Sequence, residues 1–499
     1  MPIPLIDLFA GPGGLNEGFS RVLTKSGKPA FDTLVSVECE PWAHRTLELR
    51  ALVRKLARDD RDSDYYRYIR GELSREELFE RSGSAGIAAK HEALRARLGA
   101  SPSEDKAIEE RIDHAIKRSK AKEFVLIGGP PCQAYSIAGR SRRARELRSD
   151  FESDEKHVLY REYLRIVSKF RPAVFLMENV PGLLSASLSG TRTFDLIRDD
   201  LSSAGYDLYP LNAPATPGQS DQDVRRFVVR AEEHGVPQAR ARVFILGLRR
   251  DLSLKAATLP RNGDRTNNVL DAIKDLPRIR SKLTKETDSG AAWAAAIGQL
   301  AEYETMSHDL FFDRELRRAI SEVNEHLPLG TGRPQVPKGE PTILHDWYHD
   351  PKLKAVLNHN SRGHMRRDLM RYFFWSCYAR HFGRSPKLSD APHYLRPDHG
   401  NVQGDATEAP FADRFRVQLG NRPSTTITSH IGKDGHYYIH PDPSQCRSLS
   451  VREAARLQTF PDNYFFEGAA TDQYRQVGNA VPPYLAYKIG NLIVGILNA

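Results

Sequence analysis

Residues 124–133, Phe-Val-Leu-Ile-Gly-Gly-Pro-Pro-Cys-Gln, place Cys132 just after a short apolar strand, inside a turn of glycine and proline. Proline fixes its own backbone dihedral and removes a donor, while glycine lets the chain turn sharply, so the thiol is held at the carboxyl end of the strand. Ligands of open α/β sheets bind at this edge. The turn alone leaves two interpretations open, because many free cysteines are small buried hydrophobes and only some are nucleophiles.

The apolar runs around this turn predict an α/β fold. Strands are predicted at residues 4–8, 33–37, 124–127, 173–177 and 242–248. They alternate with helical patterns, which is typical of a parallel sheet covered by helices.

The same patterns predict how the chain divides into domains. Residues 1–250 are predicted to form a first domain with a charged helical excursion at about 48–122. In residues 251–420 the alternation of strand and helix patterns stops, which predicts a smaller second domain. Residues 421–499 return to the first domain, with a helix over 484–497 packed beside the N-terminal strand.

Composition narrows the class of protein. The 499 residues carry a net charge of +9, which favours a polyanionic partner, nucleic acid first. The four cysteines are far apart and form no C-x-x-C pair, so neither a disulfide framework nor a metal site is expected. There is no basic leader and no uninterrupted run of about 18 apolar residues, so we expect a soluble cytoplasmic protein without membrane contact.

A glycine-rich loop follows the first predicted strand. Asp-Leu-Phe-Ala-Gly-Pro-Gly-Gly, residues 7–14, opens a helix, where backbone N–H groups can approach a ligand closely. Asn16 stands where the third glycine of G-x-G-x-x-G would be, which disfavours a nicotinamide or flavin cofactor. Glu38 ends the second predicted strand, where a carboxylate can accept ribose hydroxyls, although a surface acid is the alternative.

Two further segments carry polar side chains at strand ends. The strand over 173–177 runs into Glu178, where partial desolvation would raise the pKa of the carboxyl toward the range useful for proton donation; a strand-end cap is the alternative. Arg240 and Arg242 alternate at the start of the last predicted strand, so both point to one face. Such a pair suits a phosphate or a polar base edge, or it lines a solvated edge.

In this order, the segments resemble the motif series of the DNA (cytosine-5) methyltransferases over nearly the whole chain. They are Asp-Leu-Phe-Ala-Gly-Pro-Gly-Gly (7–14), Gly-Pro-Pro-Cys-Gln (129–133), Glu-Asn-Val (178–180), Gln-Ala-Arg-Ala-Arg (238–242) and Gln-Val-Gly-Asn-Ala-Val-Pro (476–482), with further matches at 154–160, 422–427 and 451–461. The resemblance implies an α/β, Rossmann-like methyltransferase sheet with helices on both faces. It also implies that residues 251–420 are a target-recognition domain.

The resemblance further implies S-adenosylmethionine as cofactor, with Glu38 on its ribose and Trp42 near its adenine or methionine portion. The other cofactor-binding residues would be Phe9, Gly11, Gly13, Gly14 and Leu15 from the N-terminal loop, and Asn479 and Val481 from the C-terminal side. The short acidic motif that normally follows the third strand is not found, so the adenine contact stays unassigned.

For the reaction, the resemblance implies that Cys132 attacks carbon 6 of a flipped-out cytosine while Glu178 binds N3 and the exocyclic amine. Arg242 would hold the O2 edge, and Arg240 would favour the thiolate. DNA contacts are assigned to Ser136, Arg140, Arg142 and Arg143 after the nucleophile, and to Arg366, Arg367 and Arg371 in a basic, aromatic-rich helix.

Double-stranded DNA is therefore the expected substrate of a monomer, with cognate restriction or phage-defence proteins as candidate partners. Two alternatives stay open: an RNA cytosine-5 methyltransferase of the same fold, and a non-catalytic DNA-binding regulator. A zinc cytosine deaminase is disfavoured because the H-x-E and P-C-x-x-C ligand patterns do not occur.

Overall fold

The computed structural model describes residues 1–56, 64–131, 158–188, 191–212, 224–263, 266–303, 307, 309–330, 344–397 and 413–498. The chain divides into two compact units. The first comprises Met1–Arg265 with Ala480–Ala499, and the second comprises Thr266–Asn479.

A twisted sheet in the order β3-β2-β1-β4-β5-β8-β6 organises the first unit, with β7 paired to the start of β8. Its strands are β1 (Ile3–Leu8), β2 (Phe31–Glu38), β3 (Ala93–Arg95), β4 (Val125–Gly128), β5 (Val174–Asn179), β6 (Tyr206–Tyr209), β7 (Val228–Arg230) and β8 (Ala241–Arg249). Outside this sheet, Ser187–Leu188 pairs with Thr191–Arg192.

The five predicted strands are present as β1, β2, β4, β5 and β8, each within two residues of its predicted bounds. The prediction of a parallel sheet holds for β3, β2, β1, β4 and β5. It is wrong for β8, which runs antiparallel to β5 and to β6. Hydrophobic patterning marks a strand but not its direction, because a strand buried on both faces is continuously apolar in either orientation.

Helices cover both faces of the sheet, as predicted. The helices of this unit are α1 (Gly14–Ser20), α2 (Pro41–Lys55), α3 (Asp64–Ile69), α4 (Arg75–Arg81), α5 (Gly83–Glu92), α6 (Pro102–Ser119), α7 (Val158–Phe170), α8 (Thr193–Ser203) and the C-terminal helix (Pro483–Leu497). On one face, α6, α7 and α8 pack on Ile6 and Leu8 of β1. On the other face, α1 and the C-terminal helix pack around Leu5.

The charged segment at about 48–122 is largely helical, as predicted, but it also supplies a strand. Leu47, Leu49 and Leu52 of α2 are fully buried, and β3 extends the sheet beside β2 with Ala93 opposite Ser36. A strand of three residues is too short to show an alternating pattern, which is why the sequence did not reveal it.

Helices are the main regular elements described in the second unit. Its helices are α9 (Val269–Ile273), α10 (Gly290–Gly298), α11 (Leu310–Ser321), α12 (His345–Tyr348), α13 (Arg366–Phe382), α14 (Val451–Leu457) and α15 (Ala470–Asn479), and a short strand pair joins Lys282–Leu283 to Gly363–His364. Five aromatic residues of α13 lie in the core with Trp293 and Phe312, namely Tyr372, Phe373, Phe374, Trp375 and Tyr378.

The Asp434-Gly435 dipeptide between residues 425–431 and 436–439 predicts a β-hairpin, and this prediction is wrong. Ser429–Gly432 forms a 3-10 turn, and Ile439 bridges to Val417 and Ser448 instead. The hydroxyl of Tyr438 accepts from the backbone N–H of Thr428 at 3.0 Å and donates to the carbonyl of Thr426 at 3.0 Å. These side-chain bonds occupy backbone groups that a hairpin ladder would have used.

The unit boundaries also differ from the predicted ones at 250/251 and 420/421, because residues 421–479 group with the second unit. The buried Arg447 side chain donates to the carbonyl of Ile279 at 2.9 Å, and the Cys446 thiol donates to the carbonyl of Leu369 at 3.1 Å. Contacts of this kind attach residues 421–479 to the preceding segment. The C-terminal helix does pack in the first unit, beside α1 and β1.

Candidate active site

The glycine loop lies between β1 and α1 and has an unusual backbone. Phe9, Gly11 and Gly13 all have positive φ angles, 55°, 57° and 95°. A bulky residue such as Phe9 rarely adopts this conformation, and such strain persists where the surrounding structure enforces it, commonly at functional sites. Leu15, the second residue of α1, is buried in the core on the face of the sheet that α1 and the C-terminal helix cover.

The C-terminal segment passes directly over this loop. A Cβ atom on Gly14 would overlap the carbonyl oxygen of Val481, and one on Gly18 would overlap the carbonyl of Pro483. These two glycines therefore allow α1 and the C-terminal segment to approach at backbone distance. The structure thus brings Val481 next to Gly14, whereas Asn479 is an exposed residue at the end of α15 in the second unit.

Asn16 has a structural role that accounts for the missing third glycine. Its amide nitrogen donates to the Ser36 hydroxyl at 3.2 Å, and its oxygen accepts from the Thr33 hydroxyl at 2.8 Å. The side chain thereby ties α1 to β2, a contact that a glycine could not make.

Glu38 connects the glycine loop to the turn after β2. Its Oε2 accepts from the Gly11 N–H at 2.8 Å, and its Oε1 accepts from the Glu40 N–H at 2.7 Å. Burial raises the pKa of the Glu38 carboxyl above its ordinary value, against the lowering effect of these backbone bonds. Trp42, in the first turn of α2, keeps 38% of its surface exposed, with the Arg45 guanidinium 5.5 Å from its ring centre.

Glu178 and Arg242 form an ion pair at the ends of two neighbouring strands. Glu178 lies in β5 opposite Phe244 of β8, and its Oε1 is 2.9 Å from Nε of Arg242. Only 14% and 13% of the two side chains are exposed. Burial lowers the pKa of Arg242, and the adjacent Glu178 opposes this shift.

The same carboxylate faces the glycine–proline turn. A Cβ on Gly129 would lie 3.0 Å from the second carboxylate oxygen of Glu178. Cys132 itself lies outside the described residues, as do Ser136, Arg140, Arg142 and Arg143, so their roles stay predictions.

Asn179 is a residue of this site to which the sequence analysis assigned no role. Its Nδ2 donates to the carbonyl of Pro130 at 3.0 Å, and its Oδ1 accepts from the Val180 N–H at 2.8 Å. The side chain is buried, with 5% exposed. The sequence contains a clue to this contact. Two consecutive prolines have carbonyl acceptors but no N–H donors, so a buried carbonyl among them needs a donor from another segment, such as a side-chain amide.

Arg240 is a buried side chain with 1% exposure, and its Nη2 donates to the carbonyl of Ala480 at 2.9 Å. It is therefore not a surface cation, and a direct contact with a DNA phosphate is excluded in this conformation. Arg240 instead supports the 480–482 segment that covers Gly14.

The cations predicted to bind DNA from α13 differ in their surroundings. Arg371 is buried and paired with Asp368 at 2.8 Å, so its assignment as a phosphate ligand is wrong; the pair stabilises the helix core. Arg366 pairs with Glu286 at 2.5 Å, and Arg367 donates to the carbonyls of Tyr394 and Arg396, both at 3.3 Å. Both remain partly exposed.

Within the described ranges, no group of three or more His, Cys, Asp or Glu side chains is arranged to hold a metal ion. One described stretch, 470–497, is long and apolar enough to cross a membrane. It consists of two helices, α15 and the C-terminal helix, and 56% of its most apolar window is buried inside the protein.

Comparison with known proteins places this fold and site in a class. The family model for C-5 cytosine-specific DNA methylases matches residues 102–495. A type II methyltransferase of Bacillus paralicheniformis is 33% identical over 99% of both chains, and one of Haemophilus parahaemolyticus is 26% identical over 99% of this chain and 87% of its own. A solved structure of a candidate DNA modification methyltransferase from an E. coli prophage covers 100% of both chains with a TM-score of 0.54 at 19% identity.

The α/β sheet with its glycine loop is thus that of a methyltransferase. The chain belongs to the C-5 cytosine-specific DNA methylase family and is an enzyme that methylates cytosine in DNA. Family membership favours this activity over the RNA methyltransferase and the non-catalytic regulator.

Proposed function

We propose that this enzyme transfers a methyl group from S-adenosylmethionine to carbon 5 of a flipped-out cytosine in double-stranded DNA, through a covalent adduct with Cys132. The observation that carries the proposal is the largely buried Glu178–Arg242 pair beside Gly129, three residues before Cys132. A carboxylate and a guanidinium held together at a strand end can read the polar edge of one base.

The residues around the glycine loop fit S-adenosylmethionine. The Glu38 carboxylate accepts the N–H groups of Gly11 and Glu40, and it is proposed to accept a ribose hydroxyl as well. The exposed ring of Trp42 offers an apolar surface, and the loop over Phe9, Gly11 and Gly13 presents backbone groups at the start of α1. Leu15 and Val481, which are core residues here, are proposed to bound the site on its apolar side, and Asn479 is proposed as a further ligand. When bound, S-adenosylmethionine supplies an electrophilic methyl group.

The chain's own residues would make cytosine reactive. Carbon 5 is a poor nucleophile until a thiolate adds to carbon 6, so Cys132 is the proposed nucleophile. Glu178 would accept from the exocyclic amine and share a proton with N3, which stabilises the charge that develops on the ring, while Arg242 holds O2. Loss of the carbon 5 proton then expels the Cys132 thiolate and restores the double bond.

Recognition of DNA is proposed for the second unit and for the segment after the nucleophile. A base inside a duplex is out of reach, and flipping it out costs a few kcal/mol, which contacts to the backbone must offset. Ser136, Arg140, Arg142 and Arg143, together with Arg366 and Arg367, are the proposed contributors. Arg371 is not among them, because it is buried in an ion pair.

The biological setting is proposed from the relatives. Two of them are named type II methyltransferases, so a cognate restriction or phage-defence system is the proposed context. We propose a cytoplasmic monomer that acts on double-stranded DNA.

Trapping on modified DNA tests the proposal. Duplex DNA with 5-fluorocytosine at the target should capture the wild-type enzyme covalently, because fluorine does not leave as a proton does. Cys132→Ala should bind the same DNA without forming the adduct. Peptide mapping that placed the adduct on any other residue would overturn the assignment of Cys132.

A further inference from the structure

In the turn over Gly129, Pro130 and Pro131, only Gly129 has a backbone N–H group. Pro130 and Pro131 lack backbone N–H groups, and Pro130 is buried, so its carbonyl needs a donor from another segment. The Asn179 amide supplies that donor at 3.0 Å.

Both ends of the Asn179 amide are engaged, which fixes its orientation. The nitrogen donates to Pro130, and the oxygen accepts from the Val180 N–H at 2.8 Å. Only an amide combines a donor and an acceptor in this way at this length. In an aspartate, a carboxylate oxygen would face the Pro130 carbonyl oxygen, and the two acceptors would repel each other.

Glu178, the residue before Asn179, contacts the same turn on the side where the base is proposed to react. Oε2 of Glu178 lies against Gly129, and its Oε1 pairs with Arg242 at 2.9 Å. Glu178 and Asn179 are adjacent at the end of β5, next to β4, where Gly128 pairs with Met177. One strand end therefore carries both the ion pair and the bond that holds the turn.

We propose that Asn179 is a positioning residue: by holding the Pro130 carbonyl, it sets the turn that leads to Cys132 at a fixed distance from the Glu178–Arg242 pair. The inference rests on the proposed function, because it assigns the benefit to attack by Cys132. In this role Asn179 acts through the turn, since both ends of its amide bind backbone groups.

The test measures the rate of covalent capture on 5-fluorocytosine DNA at saturating DNA and cofactor. For Asn179→Ala we expect a decrease of about 100-fold, as is typical when a reacting group is misplaced by about 1 Å. The affinity of the variant for S-adenosylmethionine should stay within about threefold of the wild-type value, because Asn179 is not proposed to bind the cofactor.

Asn358→Ala is the matched control. The Asn358 amide also makes two backbone bonds, donating to the Phe466 carbonyl at 3.1 Å and accepting from the Phe466 N–H at 3.0 Å, but it does so in the second unit. This variant should lower the Tm as Asn179→Ala does, while the folded enzyme captures DNA at the wild-type rate.

Asn179→Asp adds a readout that a merely structural role would not move. Its carboxylate repels the Pro130 carbonyl, whereas the protonated acid can donate to it, so the ratio of its capture rate to that of wild type should rise as the pH falls toward 5. The corresponding ratio for Asn179→Ala should stay flat.

The outcomes separate the two proposals. If wild type is trapped at Cys132 and Asn179→Ala is trapped equally fast, or if only its Tm changes, the positioning role is wrong and the proposed function stands. If wild type itself forms no adduct at Cys132, the proposed function fails first.

Discussion

At the scale of single residues, polar side chains of the candidate site also form hydrogen bonds to backbone groups of neighbouring segments. Glu38 binds two N–H groups of neighbouring turns, Asn179 binds the proline turn, and Arg240 binds the Ala480 carbonyl. Substitutions at these positions can therefore affect different steps, and kinetic measurements can tell them apart.

Glu178→Gln should slow single-turnover methylation by about 100-fold to 1,000-fold, the range seen when a stabilising group for developing charge is altered. The amide still fits beside Arg242 and can hydrogen-bond the base, but it has no acidic proton to share with N3, so the charge that develops on the ring is less well stabilised. Rapid-quench methyl transfer at saturating cofactor measures this rate. An unchanged rate with abolished binding of S-adenosylmethionine would make Glu178 a cofactor ligand instead.

Arg240→Met should weaken S-adenosylmethionine binding and destabilise the fold by about 1–3 kcal/mol, because it removes the hydrogen bond that the buried guanidinium donates to the Ala480 carbonyl. Equilibrium binding without DNA and chemical denaturation measure the two effects. The pH dependence of covalent capture should match that of wild type. A shift of that profile to higher pH would instead show that Arg240 lowers the pKa of the Cys132 thiol.

At the scale of elements, the close contact between α1 and the C-terminal segment is the feature most sensitive to volume. Gly14→Ala should raise the dissociation constant of S-adenosylmethionine and lower stability, because the added Cβ overlaps the Val481 carbonyl. Gly495→Ala is the control, since a Cβ there meets nothing within 4 Å. In the C-terminal helix this change should be neutral or stabilise by up to about 1 kcal/mol. Calorimetry compares both, and equal effects would contradict the packing argument.

Elements with a strong local signal were predicted well from the sequence. The five predicted strands are long apolar runs, and the Glu178 and Arg242 side chains at their ends do meet. β3 was missed because three residues carry no period, and the antiparallel direction of β8 is set by neighbouring strands.

Burial of individual cations was the hardest property to predict. Arg371 was predicted to bind DNA and Arg240 to favour the Cys132 thiolate, yet each is buried by contacts with a residue distant along the chain, Leu395 and Ala480 respectively. Composition gives a charge its sign but not its partner, so such assignments need the tertiary structure.

The second unit should lose stability in mild acid through His359. Burial lowers the pKa of this ring from 6.5 to about 4, and the neutral ring bonds the Pro277 carbonyl and the Ser450 hydroxyl, both at 2.8 Å. Because the folded-state pKa is depressed, the contribution is fully present above about pH 6.5 and is lost as the pH falls through 4, about 3 kcal/mol in all.

Urea unfolding of wild type and His359→Gln between pH 7 and pH 4 checks this prediction. Glutamine can also donate and accept but does not titrate, so the variant should show a shallower decline in the free energy of unfolding. Parallel declines would assign the acid sensitivity to other groups.

At the scale of the whole molecule, sequence recognition should move with the second unit. The residues proposed for methyl transfer, apart from Asn479, lie in the first unit, so a chimera carrying residues 266–479 in the framework of the Bacillus paralicheniformis relative should methylate this enzyme's target. Base-resolution mapping of 5-methylcytosine in cellular DNA identifies the site.

Junctions at 265/266 and 479/480 keep Arg447 with Ile279, whereas exchanging only 255–420 separates them and should give a less stable protein. Affinity should fall steeply with salt, as expected when many cations displace counterions from phosphate. A folded, active 266–479 chimera that kept the recipient's target would place recognition in the first unit.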